Sequence, residues 1–382
     1  MRLPISYAEY RRPIDVLNVL YLLNFAGKAG TERYVETLVK YLNHKHIRAF
    51  FAYNQGGLLV ERMEEAGVPI RQIDMNSRFD FKAAKRLADL CQEWNIDVIH
   101  CHYLREHYTA LLAKRYNKHI RVVYTNHFVL ENNAITRLSN KWMDKRQDQM
   151  IAVCNLGKQQ LIRNGWSGDR ISVIFNAVDP AAWAGDRSES TLRQELGIPE
   201  DRFVMLCASR FADDKGHHYL LESVKRLKEI SDVPFTLVLA GDGPLLEERK
   251  AQAKELGLDD CVKFIGFRKD IKNLYKASDL YVNSSRHEAL SFLIIEAMAA
   301  GLPVVVTDIA GNPDIVNDQT NCGLLAEYDN PESMAGALKR MMEEPELLER
   351  CRTNALKAVD DRFEVHKMAE ATFRIYEKAA KG

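Results

Sequence analysis

Ser285-Arg-His-Glu-Ala-Leu-Ser-Phe-Leu-Ile-Ile-Glu-Ala-Met-Ala-Ala-Gly-Leu-Pro303 joins two short β-branched segments, 280–282 and 303–306. From Ser291 onward the run carries helical signals, Gly301 supplies a C-terminal stop, and Pro303 blocks continuation. Strand, short helix, strand is the unit from which parallel sheets covered by helices are built.

The same alternation extends in both directions. Downstream of residue 190 the strands are expected at 203–207, 235–240, 262–265, 280–282 and 303–306, with helical stretches such as 216–230 and 244–256 between them. Upstream, strands are expected at 16–23, 47–53, 98–101, 121–125, 150–153 and 172–175. A helix over 31–42 places Tyr34, Leu38 and Leu42 on one face, with Glu32 and Glu36 near its N-terminus, where the helix dipole favours carboxylates. Periodicity lapses over 181–190, which reads as a linker. The chain of 382 residues therefore divides into a first α/β domain over 1–183, a second over 184–362, and an amphipathic C-terminal helix in 363–382 that has no partner strand and is expected to pack back on the first domain. In open parallel sheets ligands bind beyond the carboxyl ends of the strands, so two such domains facing across a cleft would share one site.

Composition narrows the function. With 46% apolar and 28% charged residues and no low-complexity tract, the chain is globular throughout. Residues 1–183 hold 26 Lys/Arg against 18 Asp/Glu and the remainder 27 against 35, so a net charge of zero hides a basic front half. That half suits an anionic partner such as a membrane surface or lipid phosphate, and nothing points to nucleic acid. The seven scattered cysteines include no Cys-x-x-Cys pair and fit reduced thiols in a cytoplasmic setting. No stretch reaches the ~18 apolar residues of a spanning helix, so any membrane contact is expected to be peripheral.

Two carboxylates stand eight positions apart in the opening stretch. Glu288 lies in the loop after a strand, and Glu296 lies inside the helix among Leu293, Ile294, Ile295 and Met298. A charge in such company is costly without a specific partner, and vicinal ribose hydroxyls would serve. The backbone N–H groups of Ala289, Leu290, Ser291, Phe292 and Leu293 would form an anion site matched to a diphosphate. The competing reading makes Glu296 a partly exposed helix residue and Glu288 a loop charge.

Further motifs follow other strands. Arg210 and Lys215 stand in Ala208-Ser-Arg-Phe-Ala-Asp-Asp-Lys-Gly216, Gly241 and Gly243 in Gly241-Asp-Gly-Pro244, and Phe267 and Arg268 follow Gly266. In the front half, Gly30 lies in Asn24-Phe-Ala-Gly-Lys-Ala-Gly-Thr-Glu-Arg33, His102 ends Ile96-Asp-Val-Ile-His-Cys-His102, and His127 ends Thr125-Asn-His127. The glycine loops match neither a P-loop nor a dinucleotide fingerprint. The His-x-His pair lacks visible third and fourth ligands, so no metal is expected. Arg105, Lys114, Arg115, Lys118 and Arg121 form a basic run that touches either phosphates or solvent.

Together these residues resemble the retaining GT-B glycosyltransferases of family 4, with the likeness strongest over 203–316. Glu288, Glu296, Ala297-Met-Ala299, Gly301 and Pro303-Val304 fall in register with that family's E-G-F-G-x-x-x-x-E-A-M-A-x-G-x-P-V pattern, although Ala289 and Ser291 replace glycines. The resemblance implies two Rossmann-like domains and a metal-independent, retaining hexosyltransferase that uses a nucleotide sugar, with uridine diphosphate the expected carrier. It assigns Glu288 to the donor sugar, Glu296 to the ribose, Arg210 and Lys215 to the departing diphosphate, and Gly241, Gly243, Phe267 and Arg268 to the donor. Gly30 is assigned to donor phosphate or acceptor, His102 to the reactive centre and His127 to the acceptor. The expected acceptor is a hydroxyl, of a lipid-linked glycan, an envelope polysaccharide precursor or a small molecule. The alternatives are an epimerase of similar architecture and a non-catalytic nucleotide-sugar binder.

Overall fold

The computed structural model describes residues 16–27 and 29–381; Lys28, inside the Gly30 loop, and the ends of the expected domains at 1–15 and 382 lie outside the described residues. The chain forms two compact units, one comprising the chain up to Phe175 with Val365 onward, the other Asn176–Glu364. The division precedes the expected linker, and 181–190 sits in the second unit.

In the first unit β1 (Leu17–Phe25), α1 (Gly30–Leu42), β2 (Ile47–Gln55), α2 (Leu58–Glu65), β3 (Ile70–Gln72), α3 (Phe81–Glu93), β4 (Val98–Cys101) and α4 (Leu104–Ala113) are followed by β5 (Arg121–Asn126), α5 (Ala134–Asp144), β6 (Gln149–Ala152), α6 (Asn155–Arg163) and β7 (Ile171–Val173). Among the described residues these strands make a seven-stranded sheet of order β3-β2-β1-β4-β5-β6-β7, parallel at every pairing. Val19–Leu23 of the central β1 are wholly buried. A strand covered on both faces needs such an uninterrupted apolar run, each buried aliphatic side chain contributing about 1.5–3 kcal/mol.

In the second unit α7 (Pro180–Trp183) and α8 (Leu192–Leu196) precede β8 (Phe203–Ala208), α9 (His217–Ile230), β9 (Phe235–Ala240), α10 (Leu246–Glu255), β10 (Val262–Gly266), α11 (Ile271–Ala277) and β11 (Leu280–Asn283). Then come α12 (Phe292–Ala299), β12 (Val304–Thr307), α13 (Asn312–Ile315), β13 (Gly323–Ala326), α14 (Pro331–Glu343) and α15 (Pro345–Arg362). The six-stranded sheet runs β10-β9-β8-β11-β12-β13, again parallel. The stop read for α12 is realised: Gly301 adopts φ +80°, and Leu302 N–H returns to the Ala297 carbonyl at 2.9 Å.

The last helix, α16 (Val365–Lys381), buries Val365, Met368, Ala369, Thr372, Ile375, Tyr376 and Ala379 along one stripe against α1 and the first sheet. Its Tyr376 hydroxyl lies 2.7 Å from His100 Nδ1 and 3.3 Å from the Tyr21 hydroxyl. Both units have the doubly wound, Rossmann-like topology. Each sheet reverses strand order once, between β1 and β4 and between β8 and β11, and at such a point the loops leaving adjacent strands part to opposite faces and leave a crevice.

Candidate functional site

In the second unit the crevice lies between the loops that leave β8 and β11, which carry Arg210 with Lys215 and Glu288 respectively. Lys215 Nζ donates to Glu288 Oε1 at 2.8 Å and stands 3.3 Å from Asp214 Oδ2. The side chains of Lys215 and Glu288 are only 17% and 19% exposed, so this is a partly desolvated pair and not a surface contact. Burial alone would pull the ammonium pKa down, but the Glu288 and Asp214 carboxylates outweigh it and hold it above the ordinary lysine value. Lys215 is therefore a fixed cation.

The backbone positions it. Gly216 takes φ +64°, and a Cβ there would fall 2.1 Å from the Ser284 carbonyl oxygen, so the β8 and β11 loops approach more closely than a side chain allows. Ser284 Oγ donates to the Lys215 carbonyl at 2.8 Å and Arg286 N–H to the Asp214 carbonyl at 2.8 Å, stitching the same loops. Arg210 reaches Asp214 at 3.6 Å with two thirds of its side chain exposed (66%), a cation on the open side of the pair.

Glu296 is buried within α12 and accepts from the Tyr275 hydroxyl at 3.3 Å. Glu288 and Glu296 both act electrostatically on the buried Tyr281 hydroxyl, whose pKa stands well above normal, first through burial. Ser291 is the N-cap of α12 without a side-chain capping bond. Leu290, Ser291 and Phe292 are buried while Ala289 and Leu293 are partly exposed; the Leu290 carbonyl accepts from Asn176 Nδ2 at 2.7 Å, fixing the helix entry.

Gly241 and Gly243 follow β9 with φ +146° and +148°, and a Cβ on either would strike the Ser209 or Phe211 carbonyl oxygen at 2.0 or 2.4 Å. These glycines let the β9 loop lie directly under the Arg210 loop, and Phe211 N–H donates to the Asp242 carbonyl at 2.7 Å. Phe267 is 60% exposed. Arg268 is committed to a fork of contacts with Asp270 (2.7 and 2.8 Å) and Glu195 (3.0 Å), which anchor the β10 loop to α8.

In the first unit the crevice lies between the loops after β1 and β4. Gly30 is the first, exposed residue of α1, and Glu32 accepts from Ala29 N–H at 3.0 Å, closing that helix start. Tyr103 caps α4, its N–H bonded to Glu106 Oε1 at 2.6 Å, and its hydroxyl lies 3.4 Å from Glu32 Oε1. Burial raises the Glu106 carboxyl to about 8.

Behind them His102 Nδ1 and His127 Nε2 are 3.1 Å apart, one donating and the other accepting, with Tyr34 edge-on to both rings. His102 Nε2 is buried and without a partner among the described residues. Burial, then His100 and His127, holds the His102 imidazolium well below the usual range. Desolvation takes the only partly buried His127 to about 3. Both rings are neutral at physiological pH, so either can contribute a single N–H and no charge. His100 is bonded to Thr125 Oγ1 at 2.7 Å as well as to Tyr376. The basic run is largely structural: Lys114 binds Asp148 at 2.6 Å, Arg105 the Met75 carbonyl at 3.1 Å, and Arg121 the Lys118 carbonyl at 3.1 Å.

Sequence reasoning missed Asp214, Tyr275, Asn176 and Glu106. Asp214 carried a signal, an acidic pair directly before a lysine assigned to an anion. The other three gain their roles only from the tertiary fold.

Known proteins share this architecture. The profile of glycosyl transferases group 1 matches residues 188–358, and that of glycosyltransferase family 4 matches residues 29–182. The UDP-Gal:alpha-D-GlcNAc-diphosphoundecaprenol alpha-1,3-galactosyltransferase of Escherichia coli is 29% identical over 276 residues, 69% of this chain and 71% of its own. The N-acetyl-alpha-D-glucosaminyl L-malate synthase of Bacillus anthracis is 25% identical over 304 residues, 78% of this chain and 79% of its own. Among solved structures, a glycosyltransferase from Rickettsia africae ESF-5 superposes with TM-score 0.85 at 23% identity, covering 96% of this chain and 99% of that one. HepE of Anabaena in complex with UDP gives 0.83 at 22% identity, covering 94% and 100%. With two consecutive profiles covering residues 29–182 and 188–358 and the GT-B fold in place, the chain belongs to the group 1 glycosyltransferases of family 4.

Proposed function

We propose that this glycosyltransferase moves a hexose or N-acetylhexosamine from a uridine-diphosphate sugar to an acceptor hydroxyl with retention at the anomeric carbon, and without a metal. The observation that carries the reading is the Lys215–Glu288 pair at 2.8 Å, shielded from solvent at the strand-order reversal with Arg210 on its open side. In the reaction the bond from the anomeric carbon to the β-phosphate oxygen breaks while the acceptor oxygen bonds the same face of the sugar. The departing phosphate takes the acceptor proton, giving UDP and a glycoside. Lys215 and Arg210 stabilise the charge that grows on the diphosphate, the part a divalent cation plays in other phosphate chemistry. Glu288 orients the sugar and Glu296 accepts from the ribose hydroxyls. His102, neutral, donates one N–H toward the sugar, and His127 lies on the acceptor side.

Support for the uridine carrier comes from the Escherichia coli relative, whose name specifies UDP-Gal, and from HepE, whose structure contains UDP. That relative's diphosphoundecaprenol acceptor and the basic front half favour a lipid-linked acceptor here. The test incubates the purified protein with a panel of nucleotide sugars and hydroxyl acceptors and follows the anomeric proton by NMR. Transfer with the donor's anomeric configuration, lowered at least about a hundredfold in Lys215→Ala and Glu288→Ala, is expected. Inverted product, or wild-type turnover in both variants, refutes the mechanism.

A further inference from the structure

Helix α5 is amphipathic the wrong way round. Its inward side chains are Thr136, Asn140 and Met143, two of them polar. Thr136 meets Arg78 at 3.2 Å, and Asn140 binds the Tyr108 hydroxyl and, at 2.7 Å, the Asn164 carbonyl. Its outward face carries Ile135, Leu138 and Trp142, exposed to 80%, 71% and 50%. At about 100° per residue these three lie within an arc of about 60°. Phe128 (42%) and Leu130 (60%), just before the helix, are also exposed apolar residues, and Asn164 ties the Leu130 carbonyl to α5 through its bonds at 2.8 and 2.7 Å. A single exposed apolar residue is ordinary; a helical stripe of large ones is an interaction surface.

The charges beside the stripe select its partner. Lys141 and Lys145 are exposed and make no ion pair among the described residues, and the Arg146 guanidinium lies 4.5 Å from the Trp142 ring centre. The nearby acids are engaged elsewhere. Glu131 pairs with Arg137, and Asp144 holds Ser167 N–H at 3.0 Å and approaches Arg170 at 3.9 Å. An apolar stripe with a tryptophan, rimmed by lysines whose charge is not spent on the protein, complements an anionic lipid surface, where the ring and aliphatic chains enter the headgroup boundary and the ammonium groups meet lipid phosphates.

We infer that the outward face of α5, with Phe128 and Leu130, is a peripheral docking surface for an anionic bilayer. The surface stands independently of the transfer chemistry. Because Phe128 directly follows His127, docking would bring the candidate acceptor side of the first unit close to the lipid phosphates.

Full-length protein is sedimented with phosphatidylcholine vesicles containing phosphatidylglycerol and with vesicles of phosphatidylcholine alone. Preferential, salt-sensitive binding to the anionic vesicles is expected, falling at least about tenfold in Ile135→Ser/Leu138→Ser/Trp142→Ser while circular dichroism and Tm stay at wild-type values. Should that variant fail to fold, the charge reversal Lys141→Glu/Lys145→Glu decides, with loss of anionic-vesicle binding expected. Equal binding by wild type and folded variant, or no preference for the anionic vesicles, overturns the inference. A wild-type dimer in light scattering that the triple variant converts to monomer, without vesicle binding, assigns the face to a second copy and overturns it too.

Discussion

At the scale of single residues, the proposed chemistry rests on the Lys215–Glu288 pair. A lysine aimed at a departing diphosphate is useful only if it stays protonated in a partly dry site, and the two carboxylates beside it ensure that. Lys215→Ala should lower kcat by about 10²–10³, the usual effect of removing one stabiliser of developing charge, with little change in thermal stability; steady-state kinetics and a melting curve check both. Gly216→Ala tests the backbone beneath. Positive φ together with a 2.1 Å approach to the Ser284 carbonyl should cost at least about 1–3 kcal/mol in a urea titration. At this scale the sequence was legible where chemistry is local. Glu288, Lys215 and the paired glycines stood out through their resemblance to a family pattern, each just after a strand. Tyr275, Asn176 and Glu106 could not, because an ordinary tyrosine, asparagine or glutamate acquires its role only when another element delivers a partner to it. Arg268 shows the converse, a promising cation that the fold commits to Glu195 and Asp270.

At the scale of elements, most strands lay within a residue or two of expectation because buried parallel strands need continuous β-branched runs. Two escaped notice, β3 (Ile-Arg-Gln) and β13 (Gly-Leu-Leu-Ala). Both are edge strands, with one neighbour instead of two, and neither must be apolar on both faces. The start of α4 offers a titration test. Glu106 is raised to about 8 in the fold from an ordinary carboxyl near 4.5, so between those values the native state holds a proton that the unfolded chain has released. This contribution to stability is full below about 4.5 and is lost as pH rises toward about 8. In Glu106→Gln it should vanish, so the variant gains stability relative to wild type from pH 5 to pH 8; paired denaturation curves across that range check the sign. The two histidines act oppositely. His102 and His127, depressed in the fold, add stability above the ordinary histidine range that is lost on acidification.

At the scale of the whole molecule, each of two doubly wound sheets places its functional loops where the strand order reverses, which is why motifs far apart in sequence fall into two clusters. The first unit gathers neutral histidines and capped helix starts, and the second gathers fixed charges. In the proposed reaction this division suits the two substrates, since a nucleoside diphosphate needs cations and an acceptor hydroxyl does not. Saturating UDP should therefore stabilise the wild-type protein, by about 2.7 kcal/mol at a hundredfold excess over Kd, and raise its Tm. In His102→Ala this gain should persist while turnover falls, a split that separates donor binding from the reactive centre.

Calorimetric titration of UDP into wild-type, Lys215→Ala and Glu296→Gln protein tests the central claim most directly. One UDP per chain is expected for the wild type, with affinity at least about tenfold weaker in each variant, a loss of about 1.4 kcal/mol or more. Unchanged UDP affinity in both variants, or no UDP binding by the wild type, would contradict the assignment of this site.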